Sequence, residues 1–265
     1  MPVSPLCFVL INQSTLTDPQ YGGPLDAATL QTMADSLAAY LTEDVAPSWG
    51  GVYQVRVGAP DASDLASGEV GSYIVDSLAQ FPGAAALHDI TAQGSPVIYA
   101  ARNEFQSLIG TGDPLVSALS EGIGHELSET VVDPGANQWA DRQDGTEEAK
   151  EACDRLQGTG YQKDGIMVPN FLLPPAFNPG APGPWDFKGV LASQYDVAPY
   201  GYVILRNIGV MMNQEKGEAT LKRVVRVQGT LVGSATGPHA DARRDRKKHP
   251  VSRTYQRGIR IGLPA

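Results

Sequence analysis

The chain has 265 residues, 42% of them hydrophobic, enough to bury one large core or two smaller ones. No run of about 18 apolar residues occurs, so nothing reads as a membrane span. Met1-Pro-Val-Ser-Pro5 lacks the basic start and long apolar stretch of a secretory signal, which points to the cytoplasm or to a particle.

The net charge of −9 is unevenly laid out. Residues 1–214 carry 8 Lys+Arg against 25 Asp+Glu, a net of −17, and residues 215–265 carry 12 against 4, a net of +8. This divides the chain into an acidic body, 1–214, and a basic C-terminal arm, 215–265. The two cysteines, Cys7 and Cys153, lie far apart in sequence. Cys7 reads as a small buried hydrophobe, and no disulfide framework is expected.

In chain order, Leu6–Ile11 is an apolar run expected to form a buried strand. Thr17–Pro24 has the chemistry of a loop. From Leu25 to Val45, the apolar residues Leu30, Met33, Ala34, Leu37, Leu41 and Val45 recur at helical spacing, and Pro47 and Gly50-Gly51 are expected to end the helix. Val52–Val57 alternates as a half-buried strand. Residues 71–81 read as a second helix stopped by Pro82-Gly83. Ala84–Ile90 and Pro96–Arg102 are strands flanking a hairpin turn at Thr91–Ser95. A helix then runs from Pro114 to about Val132, with Asp113 as its cap and Asp133-Pro134-Gly135 as its stop. Residues 134–200 are rich in loops and Pro-Gly clusters. Tyr202–Ile208 and Thr220–Val232 are strand-like.

The chemistry concentrates on the helix before Asp133. Positions i and i+4 lie about 40° apart around a helix, so His125 and Glu129 share a face and can reach one cation. Zinc takes imidazole nitrogen and carboxylate oxygen at about 2.0–2.2 Å. Glu126 follows the first ligand directly, where it can contact a metal-bound water as general base. A third ligand must come from elsewhere. Glu151-Ala-Cys-Asp154 follows a chain reversal at Gly145 and offers Glu151, with Asp154 orienting His125 or taking the place of Glu151. The plain alternative for Glu147, Glu148 and Glu151 is the solvated face of a short acidic helix. Asp133 could also ligate, although an Asp-Pro at a helix end is more often a turn former. His88 reads as a core histidine that could point into the cleft. Tyr161, Tyr200 and Tyr202 are packing aromatics, any of which could donate to an oxyanion.

Gly124-His-Glu-Leu-Ser-Glu-Thr-Val-Val-Asp-Pro134 resembles the SHExxExxTDP helix of bacterial HExxE zincin-like proteins, a gluzincin-like helix motif. Trp139-Ala-Asp141 followed by Glu151-Ala-Cys-Asp154 is similar to the W…EIxD stretch that comes after that helix. Val97-Ile-Tyr-Ala-Ala101 looks like the zincin edge strand, which in peptidases pairs with extended substrate. The likeness covers residues 84–155, extends to 1–83 only in element order, and leaves out the basic arm. Glu129 stands where most active zincins have a second His, Gly124 stands for Ser, and Cys153 sits inside the acidic motif.

The resemblance implies an α/β zincin-like fold: a mixed twisted sheet with a backing helix and an active-site helix, followed by the basic β or extended arm. It also implies Zn2+ as cofactor and a zinc metallopeptidase acting on a peptide substrate. In that reading Glu126 is catalytic and His125, Glu129, Glu151 and Asp154 are the metal residues. A reading from a different class is a non-catalytic component of a phage particle or another large assembly, anchored to a protein partner through the arm. A homo-oligomer is compatible with both. The run Arg243-Arg-Asp-Arg-Lys-Lys248, with Arg253, Arg257 and Arg260, could meet nucleic acid. The acidic body and the scarcity of aromatics beyond Tyr255 favour a partner-docking arm instead.

Overall fold

The computed structural model describes residues 5–21, 23–79, 84–105, 115–207, 223–227 and 230–235. The proposed Asp113 cap, the Pro82-Gly83 stop and the basic cluster at 243–260 lie outside them. The fold is mixed α/β, built on one mixed parallel and antiparallel sheet and a second antiparallel one.

The apolar run forms strand β1 (Leu6–Asn12), with Phe8, Val9, Leu10 and Ile11 all fully buried. A strand covered on both faces has no reason to alternate, which is why this one reads as continuous hydrophobicity. The first helix, α1 (Ala27–Ala39), is capped by Asp26, whose carboxylate accepts the Thr29 N–H at 2.8 Å. The helical run continues beyond α1 and does not stop at Pro47. A wide turn of π type spans Tyr40–Val45, with the Ala46 N–H reaching back to Leu41 O, and a short helix α2 (Ala46–Trp49) follows. Pro47 then stands in the first turn of α2, where its missing N–H costs nothing. Gly50, at φ +75°, closes the segment.

Strand β2 (Tyr53–Val57) lies parallel to β1 on one side, and β3 (Val70–Val75) lies parallel to it on the other. The expected helix over 71–81 is therefore corrected: its first half is a central strand. Val70-Gly-Ser-Tyr-Ile-Val75 is β-branched and aromatic, and ladders on both sides override its weak helical pattern. Strand β4 (Ala86–Ile90) and strand β5 (Pro96–Ala101) form the expected hairpin, closed by Thr91 N–H to Ser95 O at 2.7 Å. The sheet order is β2-β1-β3-β5-β4. Residues Val97–Ala101 thus pair on both sides and are not the expected edge strand; β4 is the last strand on that side among the described residues. The hairpin folds 86–90 back over the edge that β5 would otherwise expose.

The long helix α3 (Leu115–Val132) packs on β4, β5 and α1, burying Leu119, Ile123 and Leu127. Its glycines permit close approach. A Cβ on Gly124 would meet Pro169 Cδ at 2.8 Å and Leu37 Cδ2 at 3.2 Å, so the Ser found there in the resembling motif has no room.

Residues 139–149 form a hairpin, β6 (Trp139–Asp141) and β7 (Thr146–Ala149), rather than loop or acidic helix. A second hairpin, β8 (Tyr161–Lys163) and β9 (Ile166–Val168), brings β9 against α3. Strands β10 (Tyr202–Asn207), β11 (Arg223–Val227) and β12 (Thr230–Ala235) complete an antiparallel sheet of order β12-β11-β10-β7-β6. Two strands within 215–265 therefore hydrogen-bond into the sheet that β10 shares with β7. No helix among the described residues is long and apolar enough to cross a membrane.

Candidate metal centre

Four stretches deliver the site. Helix α3 supplies His125, Glu126 and Glu129, β4 supplies His88, the turn after β7 supplies Glu151 and Asp154, and β10 supplies Tyr202. Glu151 and Asp154 are aimed inward because the residues between them anchor the turn. Ala152 and Cys153 are buried in the main core, and Leu172 N–H bonds to Ala152 O at 2.7 Å. Helix α3 is fixed in turn by Ser128, which donates to Gly124 O at 2.8 Å and meets the Tyr40 hydroxyl at 2.6 Å.

His88, His125, Glu126, Glu129, Glu151 and Asp154 are each no more than 3% exposed. Around His125 Nε2, Glu129 Oε1 stands at 3.0 Å and Asp154 Oδ1 at 3.2 Å. One imidazole nitrogen cannot donate its single hydrogen well to both. Four ligands on a tetrahedral zinc stand about 3.3 Å apart, given bonds near 2.0–2.1 Å, so these separations fit a shared cation. The three donor atoms form one buried group able to hold a metal ion. The sequence favoured Glu151 as third ligand, but it is Asp154 that joins His125 and Glu129. Glu151 faces His88, with its Oε2 3.9 Å from Nε2.

His88 was underestimated as a core histidine. It is buried, but its Nδ1 lies 3.0 Å from Glu126 Oε2 and 3.3 Å from Glu129 Oε2. The signal for it was weak: a lone His on an apolar strand, 37 residues ahead of the motif. Among the tyrosines the structure selects Tyr202, which is buried and bonded to Asp154. Tyr161 donates instead to Asp44 Oδ2 at 2.6 Å, and Tyr200 is exposed. Asp133 serves the turn, accepting the N–H groups of Asn137 and Gln138 at 2.9 and 2.8 Å.

The electrostatics follow from burying four carboxylates together. Burial, with the Glu129 charge added, pushes Asp154 up to about 7. Burial also raises Glu126, against the opposing pull of His88. Burial would raise Glu129 too, but His125 and His88 outweigh it and hold its carboxyl well below the usual range. Burial disfavours charge on both imidazoles, yet their carboxylate partners raise both well above the ordinary value. Without a metal, protons therefore supply the counter-charge. The neighbouring guanidinium groups do not: Arg142 and Arg155 are engaged by Glu148, at 2.7 and 3.2 Å. Glu126 Oε1, Asp154 Oδ2 and His88 Nε2 are buried without a hydrogen bond. Buried polar atoms are rarely left so. Together with a donor set of imidazole and carboxylate, they fit a divalent cation. Searches against family models, curated proteins and solved structures match nothing to this chain.

Proposed function

We propose that the chain is a zinc-binding protein with a peptidase-type centre. His125, Glu129 and Asp154 would hold the ion, and Glu126 would act as general base. The observation that carries this is the convergence of Glu129 Oε1 and Asp154 Oδ1 on His125 Nε2, at 3.0 and 3.2 Å, on a helix where Glu126 follows the histidine. A bound zinc supplies Lewis-acid polarisation and a more acidic water.

The chain's own residues do the rest. Glu126 is held by His88 through Oε2, which leaves Oε1 free to take a proton from water. Burial raises its proton affinity toward what a base needs near neutral pH. Tyr202 hydrogen-bonds to Asp154 and would help to orient it. Strand β4 is the last strand of its sheet among the described residues and carries His88, so its outer edge can pair with an extended peptide beside Glu126.

A second reading has its own support. A catalytic zinc keeps an open coordination position, whereas all six side chains here are almost fully buried. This favours a closed, structural metal site in a component of a larger assembly, with the basic arm as its contact to a protein partner. Metal analysis with a peptidase assay of the full chain and of Glu126→Gln separates the two. Stoichiometric zinc, with turnover abolished in Glu126→Gln, supports the peptidase. Zinc without turnover selects the structural site. Absence of bound metal overturns both.

A further inference from the structure

Glu129 faces two ways. Its Oε1 lies 3.0 Å from His125 Nε2, and its Oε2 is turned toward the His88 ring, 3.3 Å from Nδ1. On the His88 side a second buried group of donors, from His88, Glu129 and Glu151, lies within 4.8 Å of one another. We propose that the centre takes two divalent transition-metal cations. The second would be held by His88, Glu129 and Glu151, with Glu129 bridging the pair. This rests on the reading of the first site given above.

Two independent observations support it. The first is His88 itself, 2% exposed, with Nε2 making no hydrogen bond and lying 3.9 Å from Glu151 Oε2. Its other nitrogen meets Glu126 Oε2 at 3.0 Å. With the proton on Nδ1 donated to Glu126, Nε2 presents a lone pair into the cluster. A metal-bound histidine has this arrangement, its second nitrogen donating to a carboxylate.

The second is charge. Fully ionised, Glu126, Glu129, Glu151 and Asp154 would carry four negative charges within one buried cluster. One divalent ion leaves two of them uncompensated, or one if His88 is protonated. Two divalent ions balance all four, and buried uncompensated charge is costly. Two imidazoles with three carboxylates, one of them shared, form a donor set suited to Zn2+, Mn2+ or Fe2+.

The test is metal stoichiometry of the full chain, stripped with chelator and titrated with Zn2+ by calorimetry and elemental analysis. Two equivalents are expected for the wild type. One is expected for His88→Asn and for Glu151→Gln, with the first site retained. One equivalent in the wild type overturns the second site while leaving the first. None overturns both. Two equivalents unaffected by either substitution would put the second ion elsewhere and overturn the assignment. Loading with Mn2+ gives a readout independent of any variant's folding: an exchange-coupled pair in electron paramagnetic resonance is expected, and two isolated ions would overturn the bridge.

Discussion

Glu148 and Glu151 lie three residues apart and are both buried, yet the fold treats them oppositely. Glu148 sits between two guanidinium groups, Arg142 and Arg155, and Arg142 also lies over the Tyr195 ring at 4.2 Å. Glu151 shares its space with Glu129 and His88, and through Glu129 joins the group of His125 and Asp154. The first cluster carries its counter-charge covalently, as part of the sequence. The second has only two imidazoles beside its carboxylates and could complete its counter-charge from outside, with protons or with a metal ion. A buried ion pair that is complete within the chain is structural, whereas one completed from solution can respond to what solution contains.

The largest test of this contrast is Glu148→Gln, which leaves Arg142 and Arg155 without a buried carboxylate. Breaking such a pair costs about 3–5 kcal/mol. For a chain of this size that is roughly a 10 °C fall in melting temperature, read by calorimetry or circular dichroism. Metal stoichiometry should not change. A loss of metal with Glu148→Gln would show that the two clusters are one.

Metal removal is the complementary perturbation. An ion present at a thousandfold excess over its dissociation constant stabilises by about 4 kcal/mol, so chelation should lower the melting temperature by roughly 10 °C. The fall should add to that of Glu148→Gln if the two clusters act separately. The ligands must shed protons before they bind. With Asp154 raised to about 7 and both imidazoles raised, metal affinity should increase as pH rises through 7, with protons released into the buffer. Calorimetry in buffers of different ionisation enthalpy measures that release. Affinity independent of pH between 6 and 8 would count against these ligands.

Tyr202→Phe removes the partner of Asp154 without touching a ligand. Losing such a support typically weakens metal binding about 10-fold. Stability in the presence of chelator should barely move, which separates support of the ligand from packing.

The smallest effect expected is at a counterpart of these pairs nearer the surface, the half-buried Arg56 with Glu69 at 2.6 Å. Arg56 holds Glu69 at about 2, below its ordinary 4.5. The depressed value means that the pair stabilises above pH 4.5 and loses that contribution as pH falls toward 2. Surface pairs contribute at most about 1 kcal/mol. Glu69→Gln should therefore lower stability above pH 4.5 by at most about 1 kcal/mol, leave it unchanged near pH 2, and so flatten the acid limb of a stability profile slightly.

Legibility in the sequence followed how local the cause was. The Thr91–Ser95 turn and the i, i+4 face of His125 and Glu129 depend on neighbouring residues and could be read directly. Strand β3 could not, because its conformation is set by β1 and β5 on either side, which are distant in sequence. Pro47 misled for a related reason: a proline ends a regular helix, but the wide turn at Tyr40–Val45 accommodates it and carries Tyr40 to Ser128.

By itself the sequence determined that one helix carries His125, Glu126 and Glu129 in a fixed order, because helical geometry depends only on spacing. It also offered Glu151 and Asp154 together, three residues apart. Only the tertiary structure decided which of the two meets His125, that His88 from β4 enters the same cluster, and that Glu129 faces both histidines. Those choices follow from the β4–β5 hairpin and from the turn anchored by Ala152 and Cys153. Both are contacts between segments far apart in the chain, so the spacing of residues along it carries no record of them.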